Sequence, residues 1–161
     1  MGQTVVEKII AHNIGRDSVK AGEIVTVQVD RVMMDDIMIP FIVDKFKEMG
    51  FQKVWDPDKA VLIYDHFLPA SQVDDTRHFR IGDAFAREQG LTRIHRTDGI
   101  CHQLMTEAGH VKPGNVVFGT DSHTTTYWLC GRIFYRYRLY RDGGDSGNGN
   151  FVGESAGDHS Y

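Results

Sequence analysis

The spacing of apolar residues along the chain follows two periods, one typical of helices and the other of strands. Apolar and polar residues alternate from Glu23 to Val29, which predicts a strand. Residues 75–89 are expected to form a helix that ends at Gly90, a residue favoured beyond a helix C-terminus. The other predicted elements are helices at 4–12 and 40–49, a short helix or structured loop at 99–108, and strands at 59–64, 92–95 and 115–118.

Two of the predicted helices carry more specific signals. Thr4 and Glu7 have the spacing of a capping box, in which each side chain satisfies a backbone N–H of the first turn. The helix at 40–49 precedes Gly50, a suitable C-cap. Its buried side is predicted to consist of Phe41, Val43, Phe46 and Met49.

The fold class follows from two nearly continuous apolar runs. The segments 59–64 (KAVLIY) and 115–118 (NVVF) lack alternation, as expected for strands buried on both faces. Strands separated by helices of this length indicate an α/β domain with a largely parallel sheet.

Composition narrows the function classes. The chain has 161 residues, of which 41% are hydrophobic and 25% charged, as in an ordinary globular domain. Its net charge of -4 gives no electrostatic footprint for nucleic acid. Cys101 and Cys130 form neither a CxxC pair nor a four-ligand zinc site. The sequence begins without a recognisable secretory signal and has no long apolar span, so a cytoplasmic location is expected.

Polar pairs follow the two buried strands, where ligands gather in open α/β sheets. Asp65-His66 follows the first strand, and Asp121-Ser122-His123 follows the second. A carboxylate beside an imidazole can fix its tautomer and raise its basicity, which suits proton transfer or binding of a substrate carboxylate. A single such pair is more often structural, but we expected the two strands to be neighbours, and His102 adds a third imidazole. The other histidines are interpreted as surface or structural: His12, His78, His95, His110 and His159.

Three alternatives compete with this interpretation. Cys101 beside His102 could be a nucleophile, although an apolar neighbour favours a buried thiol. The imidazoles of His66, His102 and His123 could bind Zn²⁺. The basic and aromatic run at 133–141 could clamp single-stranded nucleic acid.

Several segments together resemble the aconitase superfamily. The resemblance covers essentially all of residues 1–127, and its most specific segment is GTDSHTTTY at 119–127. Within the superfamily, the segments are most similar to the branch of 3-isopropylmalate dehydratase large subunits, homoaconitase and 2,3-dimethylmalate dehydratase. The other matching segments are MGQTVVEKII at 1–10, KVWDP at 53–57, YDH at 64–66, GICHQ at 99–103 and VKPG at 111–114.

The resemblance implies a hydro-lyase that isomerises a hydroxy di- or tricarboxylic acid by dehydration and rehydration. It implies a [4Fe-4S] cluster bound by three cysteines, a three-layer α/β/α domain and a small swivelling partner subunit. The implied catalytic residues are Asp65, His66, His102 and His123, and the implied substrate-binding residues are Asp121, Ser122 and His123.

The sequence also departs from the family pattern. The segment 33–40 (MMDDIMIP) differs from the family's first substrate segment. Cys101 and Cys130 do not match the cluster cysteines, so no metal ligand of the cluster is expected in this chain and no cluster is expected to bind it alone. The chain by itself is therefore expected to be inactive.

The chain changes character after Tyr127. Residues 128–161 lack any period, whereas the family continues there with a Gly-rich stretch. Trp128 has only the codon TGG, and a shift of one base makes the next codon begin GG, which encodes glycine. We therefore interpret 1–127 as the first part of an aconitase-like domain and 128–161 as an irregular, disordered tail translated out of frame.

Overall fold

A parallel β-sheet organises the chain. The computed structural model describes residues 2–126, 133–136 and 150–154. Five strands form the sheet in the order β4-β3-β2-β5-β6, and every neighbouring pair is parallel. These strands are β2 (Arg31–Asp35), β3 (Ala60–Ile63), β4 (Arg93–His95), β5 (Val116–Gly119) and β6 (Ile133–Arg136). The predicted α/β fold with a largely parallel sheet is thus confirmed.

The helices lie close to their predicted bounds. They are α1 (Val5–Asn13), α2 (Ile39–Glu48), α3 (Asp75–Gln89) and α4 (Cys101–Glu107), with a 3-10 turn at Pro57–Lys59. The predicted capping box is present, because the Thr4 side chain accepts from the Glu7 N–H and the Glu7 carboxylate accepts from the Thr4 N–H. Gly90 ends α3 with a φ of 73°, a conformation that costs glycine little.

Strand β2 was not predicted from the sequence. Its residues, RVMMD, do not alternate and end in a carboxylate, so neither strand period is visible. Val32, Met33 and Met34 nevertheless occupy the centre of the sheet, between β3 and β5. Pairing on both sides, rather than local propensity, makes this segment a strand.

Helices cover both faces of the sheet, which gives three layers. Along β3, Val61 and Ile63 pack with α4 residues on one face, while Ala60, Leu62 and Tyr64 pack with residues of α2 and α3 on the other. Alternate residues of one strand therefore enter two separate cores. A third cluster packs α1 against β1 (Ile24–Gln28) and β5.

The predicted buried side of α2 was wrong in two positions. Phe41 and Met49 are 42% and 43% exposed. The helix begins at Ile39, which is fully buried, and one face then carries Ile39, Val43 and Phe46. Phe41 lies two residues from Ile39 and so points to another side, and Met49 follows the last helical residue.

Two segments of the predicted tail are described. Strand β6 extends the main sheet beside β5, and β7 (Asn150–Glu154) pairs antiparallel with β1. The rest of 128–161, like Tyr127, lies outside the described residues, so the boundary after 127 and the out-of-frame origin stay predictions.

None of the helices in the described part of the chain combines the length and apolar character needed to cross a lipid bilayer.

Candidate active site

The carboxyl ends of three parallel strands bring the candidate residues together. Asp65-His66 follows β3 and Asp121-Ser122-His123 follows β5, as predicted. The expectation that β3 and β5 are neighbours was wrong, because β2 lies between them. The inserted strand ends in Asp35 and is followed by Asp36, so it adds two carboxylates to the same edge.

Asp121 lies among three imidazoles. Its Oδ1 is 3.0 Å from Nε2 of His102 and 3.5 Å from Nδ1 of His123, and its Oδ2 is 3.4 Å from Nε2 of His66. The backbone N–H of His123 also donates to Oδ1, at 2.7 Å. We call these four residues, His66, His102, Asp121 and His123, the Asp121 cluster.

Asp65 connects His66 to helix α4. One carboxylate oxygen is 2.9 Å from Nδ1 of His66, and the other accepts the backbone N–H of Cys101 at 2.5 Å. Because Cys101 is the first residue of α4, this bond fixes the start of the helix that carries His102. The predicted Asp-His pair is therefore present, and it also positions the third imidazole.

Asp36 holds the chain segment that carries His66. Its side chain is fully buried and accepts the backbone N–H groups of His66 at 3.1 Å and Phe67 at 2.8 Å. Its Oδ1 is also 3.4 Å from Nδ1 of His66. A buried carboxylate that accepts two backbone donors is a firm anchor, because charge-assisted bonds are stronger than neutral ones.

Asp35 joins β2 to the segment after β5. It accepts the Thr120 hydroxyl at 2.5 Å and the backbone N–H of Met38 at 2.8 Å. Sequence reasoning missed both Asp35 and Asp36 as site residues. The available signal was two adjacent carboxylates after an apolar run, but β2 itself was not predicted, so they were not placed at a strand end.

The carboxylates favour a charged His66. Partial burial acts to lower the pKa of its imidazole, yet the pKa is raised above its ordinary value. The groups that raise it are the carboxylates of Asp65, Asp35 and Asp36. Because Nδ1 faces Asp65, the proton available for exchange is on Nε2, which points toward Asp121.

Burial and hydrogen bonding act in opposite directions on two aspartates. Burial raises the pKa of Asp35 despite its two hydrogen bonds. Burial also acts to raise the pKa of Asp121, but the His123 N–H and the surrounding imidazoles lower it below its ordinary value. Asp121 is therefore an anion that can accept hydrogen bonds from the histidines around it.

Cys101 and Ser122 complete the predicted set. Cys101 is 1% exposed, and burial together with Asp65 raises the pKa of its thiol. It is the buried thiol that the sequence favoured, because a thiol held protonated is a poor nucleophile. The Ser122 hydroxyl is 3.1 Å from Nδ1 of His123, whose side chain is 77% exposed.

Two histidines interpreted as surface or structural form a separate group. Nε2 of His95 lies 2.6 Å from Nε2 of His110, and Nδ1 of His95 lies 2.7 Å from the Asp98 carboxylate. We call these imidazoles the His95–His110 pair. Nδ1 of His78 donates to the backbone oxygen of Asp36, at 2.8 Å, and His159 lies outside the described residues.

A parallel sheet between helical layers, with histidines and carboxylates at its carboxyl edge, defines the class: an α/β domain with its polar side chains where such sheets bind ligands. Comparison with known proteins gives the family. The chain matches the aconitase family (aconitate hydratase) over residues 7–132, and it belongs to that family.

Curated relatives are similar over about four-fifths of the chain. It is 44% identical over 132 residues to the probable 3-isopropylmalate dehydratase large subunit of Methanothermobacter thermautotrophicus. It is 42% identical to the large subunit 1 of Methanopyrus kandleri and 43% identical to the large subunit of Moorella thermoacetica, both bearing the same enzyme name. In each case 81% of this chain is covered, but only 31–32% of the relative, so the chain spans about a third of their length.

The residues present do not fit an iron–sulfur cluster. The aconitase family generally binds one, and such clusters are held by cysteine thiolates. This chain has two cysteines in all, and the described part contains Cys101 alone, which is buried and has a raised pKa. The described residues therefore offer no set of thiolates that could hold a cluster.

Proposed function

We propose that this chain is the first part of a hydro-lyase large subunit of the 3-isopropylmalate dehydratase type. The observation that carries the proposal is Asp121, which joins His66, His102 and His123 at the edge where parallel sheets bind ligands. Removal and return of water at a hydroxy acid needs proton transfer beside groups that bind carboxylates, and this cluster supplies both.

The geometry suggests a role for each residue. His66 donates a proton from Nε2 to the hydroxyl as its C–O bond breaks and water leaves, while Asp65 holds Nδ1 and stabilises the imidazolium. The proton lost from the adjacent carbon passes to a base in the remainder of the complete enzyme, and both transfers reverse when water is added back. His102 and His123 bind substrate carboxylate, with Ser122 orienting His123. Asp121 keeps the three imidazoles aligned by accepting hydrogen bonds from them as an anion.

The wider function follows from the relatives. A [4Fe-4S] cluster supplied elsewhere in the complete enzyme would be the Lewis acid, and a small subunit would complete the site. The expected substrate is a branched hydroxy dicarboxylic acid of leucine biosynthesis, in the cytoplasm. Homoaconitase and 2,3-dimethylmalate dehydratase chemistry are the alternatives within the branch.

A chimera tests the proposal. Residues 7–126 replace the matching segment of the Methanothermobacter relative, which is assembled with its small subunit and assayed for dehydration of 3-isopropylmalate. We expect turnover, and we expect His66→Ala or His123→Ala to lower it by about 10²-fold, because each removes a proton-transfer or charge-stabilising group. His12→Ala, on the exposed side of α1, is the matched control.

Two outcomes would contradict the proposal. Unchanged turnover in both site variants would remove the assigned roles, and a folded chimera that turns over homoaconitate in place of 3-isopropylmalate would favour the homoaconitase alternative.

For the 161-residue chain by itself, we expect no dehydratase activity and no cluster after anaerobic reconstitution with iron and sulfide. Sequencing the gene around codon 128 tests the out-of-frame origin directly.

The nucleic-acid alternative rests on residues 133–141, of which the structure describes only 133–136. Binding of single-stranded RNA by the full chain, abolished when 128–161 are deleted, would support it. We expect no such binding, since the net charge of -4 is unfavourable for a phosphate backbone.

A further inference from the structure

Three donor atoms of the Asp121 cluster converge on one point. His102, Asp121 and His123 each offer one ligand atom, and these three atoms lie within 4.8 Å of one another. Two of the separations are 3.0 and 3.5 Å, both measured to the same oxygen of Asp121. This set differs from the three imidazoles suggested by the sequence, because Asp121 takes the place of His66.

The spacing suits a tetrahedral ion. Zinc binds imidazole nitrogen and carboxylate oxygen at about 2.0–2.2 Å, so two ligands of one tetrahedral site are about 3.3 Å apart. The observed 3.0 and 3.5 Å lie on either side of that value. Small side-chain rotations would place all three donors around one ion, without movement of the strands.

A fourth residue supports the arrangement from outside. The Oδ1 atom of Asp121 faces His102 and His123. The other carboxylate oxygen, Oδ2, lies 3.4 Å from Nε2 of His66. Metal-binding carboxylates are commonly held in this way by an outer hydrogen bond. His123 leaves one side open, because its side chain is 77% exposed, so water or a small anion can complete the coordination.

We propose that His102, Asp121 and His123 form a binding site for a single divalent transition-metal ion such as Zn²⁺, independent of any iron–sulfur cluster. Two imidazoles, one carboxylate and an open position form the ligand set that zinc uses in many catalytic sites. The ion binds to the same side chains that the proposed function gives to substrate. Zn²⁺ is therefore also an inhibitor of the complete enzyme.

The test uses the full 161-residue chain and metal salts alone. Co²⁺, which reports tetrahedral coordination through visible d–d absorption, is titrated into the reduced chain, and Zn²⁺ is then added to displace it. We expect one ion per chain and no sulfur-to-cobalt charge-transfer band. His123→Ala and Asp121→Asn should each weaken binding by at least about tenfold, and His66→Ala by about tenfold through the outer hydrogen bond.

Matched variants separate this site from other histidines. His123→Ala removes an exposed side chain, so circular dichroism should show an unchanged fold, and loss of binding then reports a lost ligand. His12→Ala and His95→Ala should bind Co²⁺ like the parent chain. The inference is overturned if the parent chain gives no d–d absorption, if His123→Ala binds normally, or if His95→Ala loses binding.

The outcome is independent of the proposed function. The metal titration needs neither substrate nor partner, so a chain that binds Zn²⁺ in an inactive chimera supports this inference alone. An active chimera whose turnover is unaffected by Zn²⁺, in a buffer without chelator, contradicts the metal site and leaves the hydro-lyase assignment intact.

Discussion

The Asp121 cluster and the His95–His110 pair both consist mainly of histidines, but the charges around these histidines differ. In the Asp121 cluster a carboxylate lies between the histidines, and further carboxylates surround His66. In the pair two imidazoles meet directly, at 2.6 Å, and Nδ1 of His110 is buried without a hydrogen bond to any described residue. Arg31 and Arg93 add positive charge near His110.

This contrast shifts the pKa values of His66 and His110 in opposite directions. Carboxylates raise the pKa of His66, whereas burial, His95 and the arginines lower the pKa of His110 to about 4. His110 is therefore neutral at physiological pH, whereas the carboxylates around His66 favour its charged form. The difference arises from the neighbours and not from the residue type.

The largest effect should follow from removing the carboxylate that defines the contrast. Asp121→Asn in the chimera is expected to lower turnover by about 10²-fold or more, because the three imidazoles lose their shared anion. His110→Phe should keep turnover within about twofold, since that imidazole is outside the cluster. Steady-state dehydration kinetics measure the turnover of both variants. Equal losses would show that the Asp121 cluster is no more important for turnover than the His95–His110 pair.

A steric change should disrupt the Asp121 cluster and spare the pair. A Cβ added at Gly119 would lie 2.4 Å from the Thr124 hydroxyl oxygen and 2.5 Å from its methyl group. Thr124 is fully buried and donates to the backbone oxygen of Asp121. Gly119→Ala should thus cost about 3 kcal/mol of unfolding free energy, as overpacking does.

Urea denaturation of the 161-residue chain measures that cost. Gly2→Ala is the control, because an added Cβ there meets no atom within 4 Å. A Gly119→Ala protein as stable as the parent would show that Thr124 moves freely and does not fix Asp121.

The two histidine groups should give opposite pH dependences of stability. Because the pKa of His110 is about 4 in the folded protein, against an ordinary value near 6.5, the unfolded chain binds more protons between these values. Its contribution is complete above pH 6.5 and is lost as the pH falls to about 4, on the order of 3 kcal/mol. For His66, whose pKa is raised, the contribution is present below pH 6.5 and is lost as the pH rises through the folded-state pKa.

Unfolding free energies measured across pH 4–9 check these signs. His110→Phe should flatten the acid side of the profile and His66→Gln the neutral-to-alkaline side. The signs would be contradicted if His110→Phe left the slope between pH 4 and 6.5 unchanged.

The smallest effect concerns the two Asp-His contacts, which have similar lengths. Asp98 is 2.7 Å from His95, but its side chain is 54% exposed, whereas Asp65 is 5% exposed and also binds the start of α4. Asp98→Asn should change unfolding free energy by about 0.5 kcal/mol or less, as for exposed ion pairs. Thermal denaturation of the variant measures it, and a loss above 1 kcal/mol would show that the exposed contact is structural.

Most elements could be predicted because their signals are local. The capping box, the Gly90 terminus and the apolar runs of β3 and β5 act within a few residues. Strand β2 could not be predicted, because its residues carry no period and become a strand only through partners far away in the sequence. The exposed Phe41 was an avoidable error, since a residue two positions from Val43 lies on the opposite side of any helix.

The sequence predicted several residues of the candidate site, but not the contacts between them. The two strand ends alone predict that His66 and Asp121 lie at one edge of the sheet. What the sequence could not show is that Asp121 lies between the imidazoles, or that Asp36 is buried beneath His66. Those relations depend on the order of strands in the sheet, which no local pattern encodes.

The position of β2 between β3 and β5 also determines the order in which the strands can pair during synthesis on the ribosome. Val32 can pair with Ala60 as soon as β3 has been synthesised, whereas Arg31 can pair with Val117 only after β5 has been synthesised. The roughly fifty intervening residues after β3 take about 3–10 s to translate. During that time one edge of the central strand and the buried carboxylates of Asp35 and Asp36 are exposed on the nascent chain, so this interval is when a chaperone would be most needed.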